Sequence, residues 1–371
     1  MNELKYRFLL NASNVFALEK QVKLIKLHKN AQNIFEKSGD DLALISNLEH
    51  DKLLKISERI EQNKSYERLV SEGVKMVLCE DPEYPSSFHH VKSPPHLLYV
   101  KGDFEQKKQL GISIIGTRRP NLYGRSQTLL FAAHLASSGV HIISGLAKGI
   151  DSIALNEALK CGGNVTGILG TGIDVIYPKE NKELFTKMEK NGAIITEFSP
   201  GTQPIGHNFP WRNRLISGLG MGLLVTQASL KSGTSLTVKW ALEQGKDVFA
   251  IPGPINCEYS KGPNTMIRDG AILTQSPHDI LDYYHDHLQN HETGTSIESK
   301  LTPIKPPKSQ EKEIPEKLKE LGLSFEACDI EDLIEKTGLD YTILTRKLNL
   351  EVAKGAVEKV PGGRYKVKSN R

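Results

Sequence analysis

The 371-residue chain has only four cysteines, Cys79, Cys161, Cys257 and Cys328, none in a CxxC or Cys/His spacing. That spacing argues against a disulfide framework or a structural zinc and reads as free thiols in a reducing compartment. Long apolar runs are missing as well. The opening MNELKYRFLLNASNVF has no signal-peptide core, and no run reaches the ~20 residues of a membrane span. The expected setting is the cytoplasm, with no membrane partner. Charge of one sign is scarce: 48 Lys and Arg against 44 Asp and Glu leave a formal +4, so any nucleic-acid footprint has to be local. Neither GxxxxGK[ST] nor HExxH occurs. After the first core strand the turn reads Gly116-Thr117-Arg118-Arg119-Pro120, with bulky charge where a dinucleotide site needs glycine. No NAD, no ATP hydrolysis and no other cofactor or metal is expected.

What is present centres on residues 111–151. Two short β-branched runs, Ile112–Ile115 and His141–Ser144, each end in a glycine-containing turn that enters a helical pattern, Tyr123–Ser137 and Ile150–Lys160. Such runs read as buried parallel strands joined by a crossover helix. Alternation continues through strands at 165–169, 193–196, 223–226, 248–251 and 271–274 and helices at 181–190, 212–218 and 234–244, which makes an α/β unit with a largely parallel sheet. Ligands in such sheets bind beyond the carboxyl ends of the strands. Arg118, Arg119, Ser144, Gly145 and Lys148 are placed there, where small residues, free N–H groups and basic side chains suit phosphate.

A fourth turn region holds Asn208-Phe209-Pro210-Trp211-Arg212-Asn213-Arg214, expected as a loop running into a helix. Exposed aromatics stack bases at about 1–3 kcal/mol each, and Arg grips phosphate. The other reading is that Phe209 and Trp211 are core anchors and Arg214 forms an internal ion pair. The turn before 234–244 contains Ser232 and Gly233, either a phosphate cradle or a plain helix start. Gly170-Thr171-Gly172 is a weak turn motif. Among carboxylates, Glu197 is the one candidate for a hydrolytic role.

Flanking segments differ in composition. Residues 1–75 show helical spacing of Leu and Ile without a chemical motif. They are read as a small helical domain of sterile-alpha-motif or helix-hairpin-helix type, although no Gly-rich turn joins two helices. Residues 76–284 form the central domain. Residues 285–312, rich in His, Ser, Thr, Pro and Lys, read as a linker. Residues 313–371 combine short helices with a hairpin around Pro361-Gly362-Gly363, a winged-helix-like pattern whose second helix is acidic.

Six motifs occur in order: GTRRPNLYG (116–124), ISGLAKGID (143–151), ILGTGIDVIYPKEN (168–181), NFPWRNRLISGL (208–219), KSGTSLT (231–237) and VFAIPG (248–253). Together they resemble the DNA-processing protein A family (DprA, also called Smf), over about Asp81 to Leu281. The resemblance implies an extended Rossmann-like core that binds single-stranded DNA without sequence preference, a homodimer, and delivery of strands to a RecA-type recombinase in natural transformation. Carried over by motif, the strand-binding residues are Arg118, Ser144, Gly145, Lys148, Phe209, Arg212, Asn213, Arg214, Ser232 and Gly233. The residue-level reading adds Arg119, Asn208 and Trp211. The dimer edge is placed near Ile251–Ile272. Two positions depart from the family pattern: Leu155 stands where His is usual, and Gln227 where Glu is usual. They count against an acid–base role. The chain is therefore read as a binding protein rather than an enzyme, with a nucleotide phosphoribohydrolase acting through Glu197 as the alternative.

Overall fold

A computed structural model describes residues 2–37, 39–104, 109–291, 328, 330–337, 344, 348, 356–360 and 364–367. Met1–Ser296 form one compact unit and Ile297–Arg371 a second. The first begins with five helices, α1 (Glu3–Ala12), α2 (Leu18–His28), α3 (Gln32–Glu36), α4 (Asn47–Gln62) and α5 (Ser65–Ser71). Leu10, Phe16, Leu24, Ile34 and Leu53 bury one another between them. Ser46 and Glu49 start α4 as a reciprocal capping box, which satisfies donors the first turn leaves free.

The helices are followed by β1 (Lys75–Leu78), β2 (Leu97–Gly102), β3 (Gly111–Ile115), α6 (Leu122–Ser137), β4 (His141–Ser144), α7 (Ile150–Lys160) and β5 (Val165–Ile168). Next come α8 (Lys182–Asn191), β6 (Ala193–Thr196), α9 (Asn208–Leu219), β7 (Gly222–Val225), α10 (Gly233–Glu243), β8 (Asp247–Ala250), α11 (Lys261–Arg268), β9 (Ile272–Leu273) and α12 (Pro277–His291). The nine strands form one sheet in the order β1-β2-β6-β5-β4-β3-β7-β8-β9. Pairings from β6 to β9 are all parallel. The HLLYV segment contributes β2, which runs antiparallel to both β1 and β6. Every residue of β3, β4, β5, β6 and β7 is buried, the state that continuous β-branched runs without polar alternation encode.

The sheet separates two apolar layers. Phe131, Leu135, Ile142, Leu155 and Phe249 lie in one, and Ile115, Ile143, Leu215, Leu223 and Val225 in the other. Leu155 is fully buried in the first layer, so this departure from the family pattern is a packing residue here. Phe8, Leu9 and Leu69 of the N-terminal helices join the same layer as Tyr99 of β2. Polar groups cross that seam too. The Tyr99 hydroxyl donates to Asn11 Oδ1 at 2.9 Å, and the Arg7 guanidinium donates to Glu3, Glu80 and the His96 carbonyl.

Helix α12 runs to His291, through the head of the stretch read as a linker; residues 292–312 lie outside the described residues. In the second unit, α13 (Ile330–Thr337) and an antiparallel hairpin, β10 (Val357–Val360) with β11 (Arg364–Val367), surround Leu333, Leu344, Leu348 and Tyr365. A helix and a hairpin at these positions are among the elements expected of a winged-helix-like unit. The helix predicted at 314–321 and the Gly-Gly turn lie outside the described residues. Among the described residues, no helix is long and apolar enough to cross a membrane.

Candidate nucleic-acid interface

The chain order of the sheet reverses between β3 and β7: strands four to six extend to one side and β8 and β9 to the other. Turns leaving two such strands diverge and leave a crevice at the carboxyl edge. Here the turns are tied together. Thr117 N–H donates to the Gln227 carbonyl at 2.7 Å, linking the β3 and β7 turns. The Gln227 amide also donates to Asn121 Oδ1 and accepts from Asn121 N–H. On the other side, Ile150 N–H donates to the Thr117 carbonyl. Gly149, at φ +81°, lies so close that a Cβ there would sit 2.5 Å from the same oxygen, so no larger residue fits. Three adjacent turns thus form one continuous rim.

Gln227 was read from sequence only as a missing acid. The structure shows it buried and setting the shape of the Arg118 turn. No local signal marks that role, because its partner lies 106 residues away.

Arg118, Arg119 and Lys148 are exposed on this rim. The Lys148 ammonium meets Glu180 at 2.5 Å, and that contact holds the Glu180 carboxyl below its ordinary range. Arg118 lies 5.7 Å from the centre of the half-buried Phe209 ring, within cation–π range. The tyrosine ring of Tyr177 approaches the same phenylalanine, with centres 5.4 Å apart.

The expectation of a loop through Asn208–Trp211 is corrected: α9 begins at Asn208. Pro210 is the third helical residue, where a backbone N–H has no intrahelical acceptor to lose, so proline is tolerated. This turn carries several predicted binding residues inward. Asn208 is 5% exposed. Arg212 is 3% exposed and donates from Nη1 to the Gly145 and Ile168 carbonyls and from Nε to Asn213 Oδ1. Burial pulls its guanidinium pKa down to about 10, against the pull of nearby Asp151. The Asp151 carboxyl is pushed up by its own burial, with Arg212 and the Gly145 N–H opposing. Gly145 fills the gap between them, where a Cβ would lie 2.7 Å from Asp151 Oδ2 and 2.9 Å from Arg212 Cζ.

Arg214 goes deeper still, with no exposed surface. It forms a two-pronged ion pair with both Glu197 oxygens, and its remaining donors go to the carbonyls of Lys92, Ser93 and Trp211. This is the internal ion pair of the second reading, and no donor of Arg214 faces solvent. Ser144 is likewise buried and donates to the Ile114 carbonyl at 2.6 Å. Trp211 is half-buried, with the Arg214 guanidinium 4.2 Å from its ring centre. Ser232 caps α10 by position but makes no side-chain capping bond, and Gly233 is exposed beside it. The exposed predicted set is therefore Arg118, Arg119, Lys148 and Gly233, with Phe209, Trp211, Asn213 and Ser232 half-buried. Arg212, Arg214, Ser144, Asn208 and Gly145 form the frame beneath it.

A sequence model of the family described as DNA recombination-mediator protein A matches residues 75–285. Protein Smf of Escherichia coli is 35% identical over 290 residues, covering 78% of this chain and 76% of that protein. The structure of DNA processing protein A from Streptococcus pneumoniae superposes with a TM-score of 0.66 at 30% identity, covering 76% of this chain and 98% of that one. DNA processing protein A from Helicobacter pylori, whose structure was described for its single-stranded DNA binding mode, gives a TM-score of 0.53 at 31% identity over 57% of this chain and 97% of that one.

Proposed function

The chain belongs to the DNA recombination-mediator protein A family, and from that premise we propose that its central domain binds single-stranded DNA without sequence preference, protects incoming strands and delivers them to a RecA-type recombinase during DNA uptake. The observation that carries this reading is the rim itself: Arg118 stands free over the Phe209 ring at the point where three strand-to-helix turns are knitted together. Arg118, Arg119 and Lys148 hold phosphates, turn amides add partial positive charge, and a base lies on the aromatic surface. Arg212 and Arg214 act as positioning residues that fix α9 and hence Phe209.

Binding is favoured over hydrolysis by the state of Glu197. It is 2% exposed and both its oxygens are held by Arg214, so the carboxylate has no free edge for a glycosidic bond. Homodimerisation through the Ile251–Ile272 edge of the sheet fits the exposed end strand β9, where Leu273 is 48% exposed.

The test is fluorescence anisotropy of labelled single- and double-stranded oligonucleotides across a salt series, for wild type and Arg118→Ala. Single strands bind in preference to duplex. The variant binds about tenfold more weakly, the scale of one charge-assisted contact, and its log–log salt slope is flatter by about 0.7. Absence of single-strand binding by the wild type at low salt overturns the reading.

A further inference from the structure

Phe209 alone offers little stacking surface. Gly170 closes on it from one side, so near that a Cβ would lie 2.9 Å from Phe209 Cδ1, and Arg118 covers part of another. The aromatic surface continues instead onto Tyr177. This ring is 37% exposed and lies 5.4 Å from Phe209 at an interplanar angle of 39°. Its hydroxyl makes no hydrogen bond among the described residues and is open to solvent or a ligand.

The segment carrying Tyr177 is held on both sides. Upstream, Thr171 Oγ1 donates to the Val175 carbonyl at 3.0 Å, and Asp174 accepts from Gly201 N–H at 2.7 Å. Downstream, the Asn181 amide donates to the Leu146 carbonyl at 2.8 Å, on the turn that carries Lys148. The segment carrying the ring is thus held before any ligand arrives, and little backbone ordering entropy opposes its use.

We propose that Tyr177 is a nucleobase contact and, with Phe209, forms a two-ring step that selects single strands over duplex. This rests on the single-strand reading above and deepens it. Bases of a duplex are stacked on one another and offer no free face, whereas a single strand can lay a base across the step and its phosphates on Arg118 and Lys148. The hydroxyl is then available to the edge of the base.

The experiment compares wild type, Tyr177→Leu and Tyr177→Phe on oligothymidylate, on an abasic strand of equal length and charge, and on duplex, each across a salt series. Tyr177→Leu binds oligothymidylate about five- to tenfold more weakly, at the lower end of base–aromatic stacking, with an unchanged salt slope. Tyr177→Phe stays within about twofold of wild type, since the ring face is kept. On the abasic strand and on duplex all three proteins bind alike. An equal penalty on thymidylate and abasic strands shows that the ring acts only by supporting Phe209 or Arg118, and overturns the proposal. So does the absence of any penalty while wild type binds thymidylate normally. If wild type fails on every single strand, the underlying reading falls along with it.

Discussion

Arg118 and Arg212 approach the same phenylalanine ring, Phe209, at 5.7 and 6.0 Å, yet one is exposed and the other 3% exposed. Each belongs to a closely spaced arginine pair, Arg118–Arg119 and Arg212–Arg214, and the two pairs do opposite work. The first pair projects from a turn whose backbone bonds are satisfied by neighbouring turns, so its side chains remain free for a ligand. The second projects from a helix packed on the face of the sheet: Arg214 spends its donors on carbonyls and the Glu197 carboxylate, and Arg212 gives Nη1 and Nε to carbonyls and the Asn213 side chain. A buried arginine whose donors are engaged inside, as all of Arg214's are, holds shape; one whose donors face water can bind phosphate. The comparison therefore divides predicted binding residues into contacts and supports, and it can be broken by experiment.

The largest effect belongs to the buried pair. Arg214→Ala leaves Glu197 as an unpaired charge in a dry site, and one-sided loss of a buried pair costs about 3–5 kcal/mol. Chemical denaturation is expected to show that loss, and single-strand binding to fall with the folded fraction. Arg119→Ala, on the exposed pair, leaves the denaturation midpoint unchanged. If Arg214→Ala folds with wild-type stability and loses only DNA affinity, the division between support and contact fails.

Acid supplies the next effect, again on the buried side. His141 lies at the start of β4 against Thr166 Oγ1, and burial lowers its pKa to about 4 from 6.5. Between those values an unfolded chain takes up a proton that the folded one refuses. The His141 contribution is thus intact above pH 6.5 and is lost as pH falls toward 4, amounting to about 3 kcal/mol at 1.36 kcal/mol per unit. His141→Gln is expected to flatten the stability profile over that window, as followed by urea midpoints. An unchanged profile removes His141 as the cause. Binding by the arginine rim, which keeps its charge across this window, shows no matching loss while the protein remains folded.

How much of this was legible in the sequence follows the same division. Strands β4 and β6 and helix α7 coincide with their predicted bounds, because short β-branched runs between glycine turns have few other stable fates. Arg118 was legible as exposed because a proline and glycines bracket it. The start of α9 was not, since Pro210 reads as a breaker until its place in the first turn is known. The internal ion pair of Arg214 was legible only as one of two readings, and its partner was not: Glu197 stands 17 residues earlier at the end of β6, and only the tertiary fold brings them together. Gln227 was obscured likewise by a partner far along the chain.

The smallest effect tests the one rim cation already engaged. Lys148 is bound to Glu180, with both side chains more than half exposed, so the pair is weak and a phosphate competes for the ammonium. Two outcomes separate cleanly in the salt series of Glu180→Gln. If Glu180 keeps hold of Lys148 in the wild-type complex, freeing the ammonium adds a phosphate contact: affinity rises a few-fold at low salt and the slope steepens by about 0.7. If the strand already draws Lys148 away, affinity rises slightly and the slope stays as it was. The second result is expected, because the pair is exposed and weak and a phosphate of the strand takes the ammonium in the complex. A fall in affinity would show that Glu180 supports the rim rather than restraining it, and would move Lys148 from the contacts to the frame.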